Sequence, residues 1–429
     1  MKKRILSVLL VIALLVTVGI VAAQAEGERT PADIIAAANE LSFPYVDEGE
    51  TPANQTGICP ICNTNQTFKP IPTTTASWES GNTSHFYGYA AEIDLGTGKI
   101  YNSGGNLHIF LNGSAITTSN TGNGVTTGGT ISIFGNGSLH QDAEGVKLFY
   151  PRTTNNGADF SVAIYGGTYS ANGGRVVEVW NTRKADFTNF VMYGGTLEAN
   201  ATSEAPLFIG MGGSARVEGG TINADPTKGV AIALNKNNSN TSRTEPLTVT
   251  GTADINGLIV QSTYGDLLIS GNATVDGVKS NTSEAGTVEV TGNAQVGTLE
   301  FMSANSTLTV SGGKIGTLTA TKGATTLSGG EITTATITGS AVTLTGTPVV
   351  ETLDVTAATT LPFTATELAE GASIGINAPI GGAAVVTGLT ADDAAFFTFN
   401  GADPLGKTTV DENGKLVVIE RTLDTIADM

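Results

Sequence analysis

Cysteine is almost missing from this 429-residue sequence, with two copies, Cys59 and Cys62. Two neighbouring cysteines cannot supply a disulfide framework, so the chain must be held by other means. Charge is also sparse, at 14% of residues, and aromatics reach only 6%. Leucine is too infrequent for helical bundles, while a hydrophobic fraction of 40% is too high for a disordered chain. Bases are outnumbered by acids, 21 to 39. Three of those 21 bases and none of the acids lie in the first 25 residues, so the remainder carries a net charge of −21. Such a surface repels nucleic acid and anionic membrane, and neither is an expected partner. After residue 25 no segment is apolar enough to span a bilayer. The glycine pairs at 312–313 and 329–330 are followed neither by Gly-Lys-Ser/Thr nor by a helix pattern, which excludes a phosphate loop.

What is present begins with an export signal over residues 1–25. Lys2, Lys3 and Arg4 precede an apolar run from Ile5 to Val21, and Ala23-Gln24-Ala25 forms a small-residue cleavage site. An uncleaved anchor is the alternative, because the run is long. Cleavage would leave no stable membrane insertion, and localisation would be secreted or at the cell surface. Residues 26–105 read as a leader and cap. Thr30-Pro-Ala-Asp33 has the form of a capping box and predicts a short helix through Leu41. Cys59-Pro-Ile-Cys62 and Phe68 predict a small hairpin, with Asn63 at a sharp turn where a left-handed backbone is tolerated.

Residues 106–360 are periodic. Units such as HIFLNGSAI, SIFGNGSL, AIYGGTY, LISGNATV, TVSGGKI and TLSGGEI repeat a strand signal, a turn of Gly or Asn, and a second apolar position. Turn residues run from Asn112 and Asn136 through Gly166 and Gly194 to Gly329 and Gly346. Late units are spaced by 20, 21, 20, 17 and 17 residues. That period, without helical patterning, predicts a β-solenoid. A leucine-rich repeat lacks its skeleton here, and a propeller needs units about twice as long. Two stacked columns of apolar residues are expected. One runs Phe110, Phe134, Ile164, Met192, Val217 and onward to Leu344. The other runs Ile116, Leu139, Tyr169, Leu197, Ile222 and onward to Ile332. Residues 361–429 read as a C-terminal β cap with a hairpin around Glu412-Asn413-Gly414. The fold class is therefore all-β.

The order of signal, CPIC hairpin, HFYGYAAEIDLG, NLHIFLNGSAI and serial GGT or SGN units resembles right-handed parallel β-helix surface proteins of Gram-positive gut anaerobes. Cys59, Cys62, His85, Leu111, Asn112, Gly113 and Ile116 carry the resemblance, while Asn63 stands where those proteins have Gly. It implies an adhesin-like scaffold with small caps and little chemistry. No cofactor is expected.

Candidate sites are few. Cys59 and Cys62 read as a local disulfide or an inherited knuckle; a metal site with His85 as a third ligand and a redox pair are the alternatives. Arg175, Glu178, Arg183, Lys184 and Asp186 cluster in sequence, near Tyr150, Arg152 and Trp180. These lie on the longest repeats, and aromatics are dense there, as a glycan or protein contact surface would require. The expected partner is a glycan or a host or bacterial surface protein, with oligomeric state left open. A polysaccharide lyase or glycoside hydrolase on the same face is the rival reading, but it needs paired acids, which the local sequence lacks.

Overall fold

The structure, a computed structural model, describes residues 29–73, 78, 82–102, 104–127, 129–153, 160–181, 188–199, 205–210, 213–227, 229–234, 247–262, 265–282, 285–354, 363–378, 386–401 and 406–420. The expected signal at 1–25 lies outside these residues. Helix α1 (Pro31–Glu40) starts as its sequence predicts. The Thr30 hydroxyl accepts the Asp33 amide at 3.2 Å, and the Asp33 carboxylate accepts the Thr30 amide at 3.1 Å. Strands β1 (Gln55–Ile58) and β2 (Asn65–Pro70) form an antiparallel hairpin, and Asn63 in its turn has φ 54°.

Beyond the hairpin come β3 (Ser84–Tyr87), β4 (Glu92–Asp94), β5 (Ile100–Asn102) and β6 (Asn106–Phe110). From here each strand pairs in parallel with its equivalent one repeat later. Among the described residues this ladder runs from Lys69 beside Phe86 to Ile376 beside Phe399. It therefore reaches past both limits of the 106–360 range. The molecule is all-β with a long, mostly parallel sheet, an arrangement compatible with a β-solenoid. At the far end, Gly406–Val410 and Leu416–Glu420 form the expected antiparallel hairpin, with Gly414 at φ 70°.

The second expected column is present at each step, from Ile116 beside Leu139 to Ile315 beside Ile332. A third column, absent from the sequence reading, runs through Phe149, Val177, Leu207, Ile232, Ile259, Val278 and Leu299. The first column needs a correction at its start. Ile164 pairs with Ile133, and Ile133 with Ile109, so these two fill the column. Phe110 and Phe134, one residue on, face the opposite side, because successive strand side chains alternate. The paired glycines do turn the chain. Gly330 has φ 77°, and a Cβ there would sit 2.7 Å from the Gly312 carbonyl oxygen of the preceding repeat.

The leader does not all sit at the end of the ladder. Helix α1 packs against strands Ser161–Ala171 and Phe190–Ala199. The segment after it is latched by Asn112, whose Oδ1 accepts the Phe43 amide at 3.0 Å. Its Nδ2 donates to the Phe43 carbonyl at 3.0 Å and the Gly88 carbonyl at 2.7 Å. Asn112→Ala removes all three bonds from a buried site and is expected to weaken this docking by about 2–3 kcal/mol. Hydrogen exchange at the Phe43 amide would then accelerate about a hundredfold, measurable by NMR or mass spectrometry.

Candidate metal centre

Alternation in β3 and β6 creates a second, smaller core outside the main one. Phe86, Leu107 and Ile109 face the main core, while Tyr87 and Phe110 join Phe43, Phe68, Phe134 and Cys59 in the outer cluster. His85 and His108 share the outward parity of Tyr87 and Phe110, and parallel register sets the two histidines side by side. Their rings meet edge to face at 4.9 Å, and Phe68 packs on His85 at 5.2 Å. Both imidazoles are thus fixed by packing.

The hairpin turn lies over this pair. The Cys59 amide donates to the Thr64 carbonyl at 3.0 Å and the Asn63 amide to the Cys59 carbonyl at 2.9 Å. The Cys62 amide donates to Cys59 Sγ at 3.4 Å. Four donor atoms converge as a result. Cys62 Sγ is 3.3 Å from His108 Nδ1 and 3.4 Å from His85 Nε2. Cys59 Sγ is 3.4 Å from His108 Nδ1, and the two ring nitrogens are 3.2 Å apart. All four atoms lie within 4.8 Å of one another, and every residue but Cys62 is buried.

Both thiols are free. In place of the disulfide favoured by the sequence, the structure draws an arrangement of the metal kind, with His85 as third donor. His108 is the fourth, and sequence reasoning missed it. Its signal was available: SHFY at 84–87 and LHIF at 107–110 are the same strand one repeat apart. No helix follows Cys62, so the setting that activates a redox pair is missing. Burial raises the Cys59 thiol and lowers both imidazoles, His108 to about 4 with His85 adding to the fall. The histidines therefore sit neutral with lone pairs to give, and a thiolate at Cys59 requires a cation beside it. Two thiols and two imidazoles suit zinc and similar transition metals, whereas calcium and magnesium take oxygen.

No known family matches the chain, and no curated protein or solved structure does either.

The expected contact face is brought together in part. Glu178 is only 4% exposed, and its two oxygens meet Lys147 Nζ at 3.1 Å and Arg175 Nη1 at 2.5 Å. The Arg175 guanidinium lies 3.5 Å over the Phe208 ring and Lys147 4.2 Å over Tyr150. Trp180 is half-buried, its ring edge 2.7 Å from where a Cβ on Gly210 would be. Register places Arg152 beside Trp180, and its side chain lies outside the described structure, as do Arg183, Lys184 and Asp186. Sequence reasoning missed Lys147 and Phe208, which arrive from neighbouring repeats. It also missed a groove of about 370 Å³ on the late repeats, lined by Asp276, Gln295, Lys314, Glu331 and Glu351 among others. Among the described residues no helix is long and apolar enough to cross a membrane.

Proposed function

We propose that the chain is an exported, right-handed parallel β-helix that works by contact rather than catalysis, presenting the face around Trp180 to a glycan or a surface protein. The observation that carries this reading is the state of Glu178. A general acid or nucleophile must be free to exchange a proton or attack. Glu178 instead has each oxygen held by a cation. Those cations are themselves layered on Tyr150 and Phe208, which fixes a surface of rings and N–H donors suited to stacking and hydrogen bonding. One acid against two bases also makes this spot locally positive on an acidic chain, which favours glycans bearing carboxylate or sulfate. The resemblance to adhesin-like β-helix proteins and the signal-like N-terminus support display outside the cell.

A glycan and mucin array, run with reducing-sugar release followed in parallel, tests the reading. Binding without release is expected, and Trp180→Ala should reduce it at least tenfold, the effect of about 1.4 kcal/mol of lost stacking. Sugar release would establish the hydrolase or lyase instead. Binding unchanged in Trp180→Ala would move the contact off this face.

A further inference from the structure

We propose that Cys59, Cys62, His85 and His108 bind one Zn²⁺ ion through Sγ, Sγ, Nε2 and Nδ1, and that this ion clasps the N-terminal hairpin to the first strands of the ladder. The centre stands apart from the Trp180 face, and neither reading depends on the other.

Hydrogen bonding alone does not account for the geometry. His108 Nδ1 lies 3.2–3.4 Å from Cys59 Sγ, Cys62 Sγ and His85 Nε2 at once. A neutral imidazole nitrogen offers one proton or one lone pair, so it cannot bond all three. Its lone pair can, however, share a single cation with all three. The lengths agree with that. Zinc bonds of about 2.3 Å to sulfur and about 2.0–2.1 Å to nitrogen, set tetrahedrally, give edges of about 3.5–3.6 Å for S–N and about 3.3–3.4 Å for N–N. The observed S–N separations are 3.3–3.4 Å and the N–N separation is 3.2 Å. Each falls about 0.1–0.2 Å inside the ideal figure, within the tolerance of a metal site.

Composition makes coincidence a poor explanation. The chain has two cysteines and three histidines in 429 residues, and four of those five side chains meet at this point. The fifth, His140, bonds the Ser170 hydroxyl at 2.7 Å. The chemistry selects zinc over harder ions, since no oxygen donor belongs to the set. Two thiolates neutralise Zn²⁺, and a neutral complex is one that an aromatic surround can bury at little electrostatic cost. Four protein donors also fill a tetrahedral shell, which is the mark of a structural site rather than a catalytic one. The donors come from the hairpin turn, β3 and β6, so the ion ties three separate segments. The Cys62 amide aimed at Cys59 Sγ supplies the outer hydrogen bond that steadies a metal-bound thiolate.

The test uses the full chain, purified without chelator and analysed for metals by mass spectrometry, with cysteine alkylation before and after chelation. One zinc per chain is expected, with both cysteines unreactive until the metal is removed. Reconstitution with Co²⁺ should give the visible bands of tetrahedral cobalt and a thiolate-to-metal charge-transfer band. Cys62→Ser and His108→Ala should each abolish stoichiometric zinc, and His140→Ala should retain it. The cobalt spectrum of the unaltered protein needs no variant, so a ligand variant that misfolds leaves the proposal open to refutation. A Cys59–Cys62 disulfide in metal-free native protein would overturn it. So would full zinc content in a His85→Ala/His108→Ala double variant, or an octahedral cobalt spectrum without charge transfer.

Discussion

Chelating the zinc from the reduced native protein is expected to free the N-terminal hairpin and to speed tryptic cleavage at Lys69 about a thousandfold. Cleavage at Lys279 and Lys314, deep in the late repeats, should barely change. The hairpin is attached to the ladder by a short register, Lys69 beside Phe86 and Pro70 beside Tyr87. What else holds it is the outer aromatic cluster and the four donors. With free zinc a thousandfold above its dissociation constant, linkage adds about 4 kcal/mol to the closed state. Zinc-dependent small domains draw more than this, about 10–16 kcal/mol of apparent binding free energy, so the figure is a lower one. Trypsin cuts at the opened state, whose population rises by the corresponding factor when the metal leaves. Equal cleavage with and without metal would show that the rings of Phe43, Phe68, Tyr87 and Phe110, packed at 5.1–5.7 Å, hold the hairpin unaided.

Half of this centre was legible in the sequence. Cys59-Pro-Ile-Cys62 is a compact local signal, and its spacing alone marks it as chemistry. Two thiols are half a zinc site, however, and the other half depends on register. His85 and His108 are 23 residues apart in the chain and become neighbours only because β3 and β6 pair in parallel. Treating SHFY as one more repeat, rather than as part of the leader, would have supplied both. The Glu178 face shows the same limit. Arg175 and Glu178 are three residues apart and could be paired on sight, while Lys147, Tyr150 and Phe208 enter from repeats about 30 residues away.

The fold was legible wherever one residue per repeat had to turn the chain or fill the inside. The column through Ile116, Leu139 and Tyr169 is intact because a Gly or Asn turn anchors its register from the N-terminal side. The start of the other column was misread because both NLHIF and TISIF put apolar residues on both faces. Where inside and outside are equally apolar, hydrophobicity no longer reports parity, and Phe110 and Phe134 look as suitable for the interior as Ile109 and Ile133. Both faces are apolar there because the cap covers the outer one. The ambiguity in the sequence is thus itself a trace of the contact between hairpin and ladder.

Ile133→Asp and Phe134→Asp, adjacent substitutions, are expected to break different parts of the molecule. Ile133 is fully buried between Ile109 and Ile164, enclosed by repeats on both sides. A carboxylate there loses the packing of a buried isoleucine and has no route to water, a combined cost above about 5 kcal/mol. That approaches the whole stability of an ordinary domain, so the early repeats should unfold. Coupling along a stack of repeats passes between nearest neighbours, so the late repeats should keep their exchange protection. Phe134 is equally buried, but its stacking partner Phe110, at 5.7 Å and 17°, belongs to the outer cluster under the cap. Phe134→Asp can hydrate its charge by letting the cap swing away, losing about 3–5 kcal/mol of docking while the ladder stays folded. Far-UV circular dichroism and exchange at the Val162 and Ile164 amides separate the outcomes: lost in Ile133→Asp, retained in Phe134→Asp, with Lys69 exposed to trypsin in both. If Phe134 occupied the inner column, the two variants would exchange phenotypes, and the register on which the zinc site depends would be wrong by one residue.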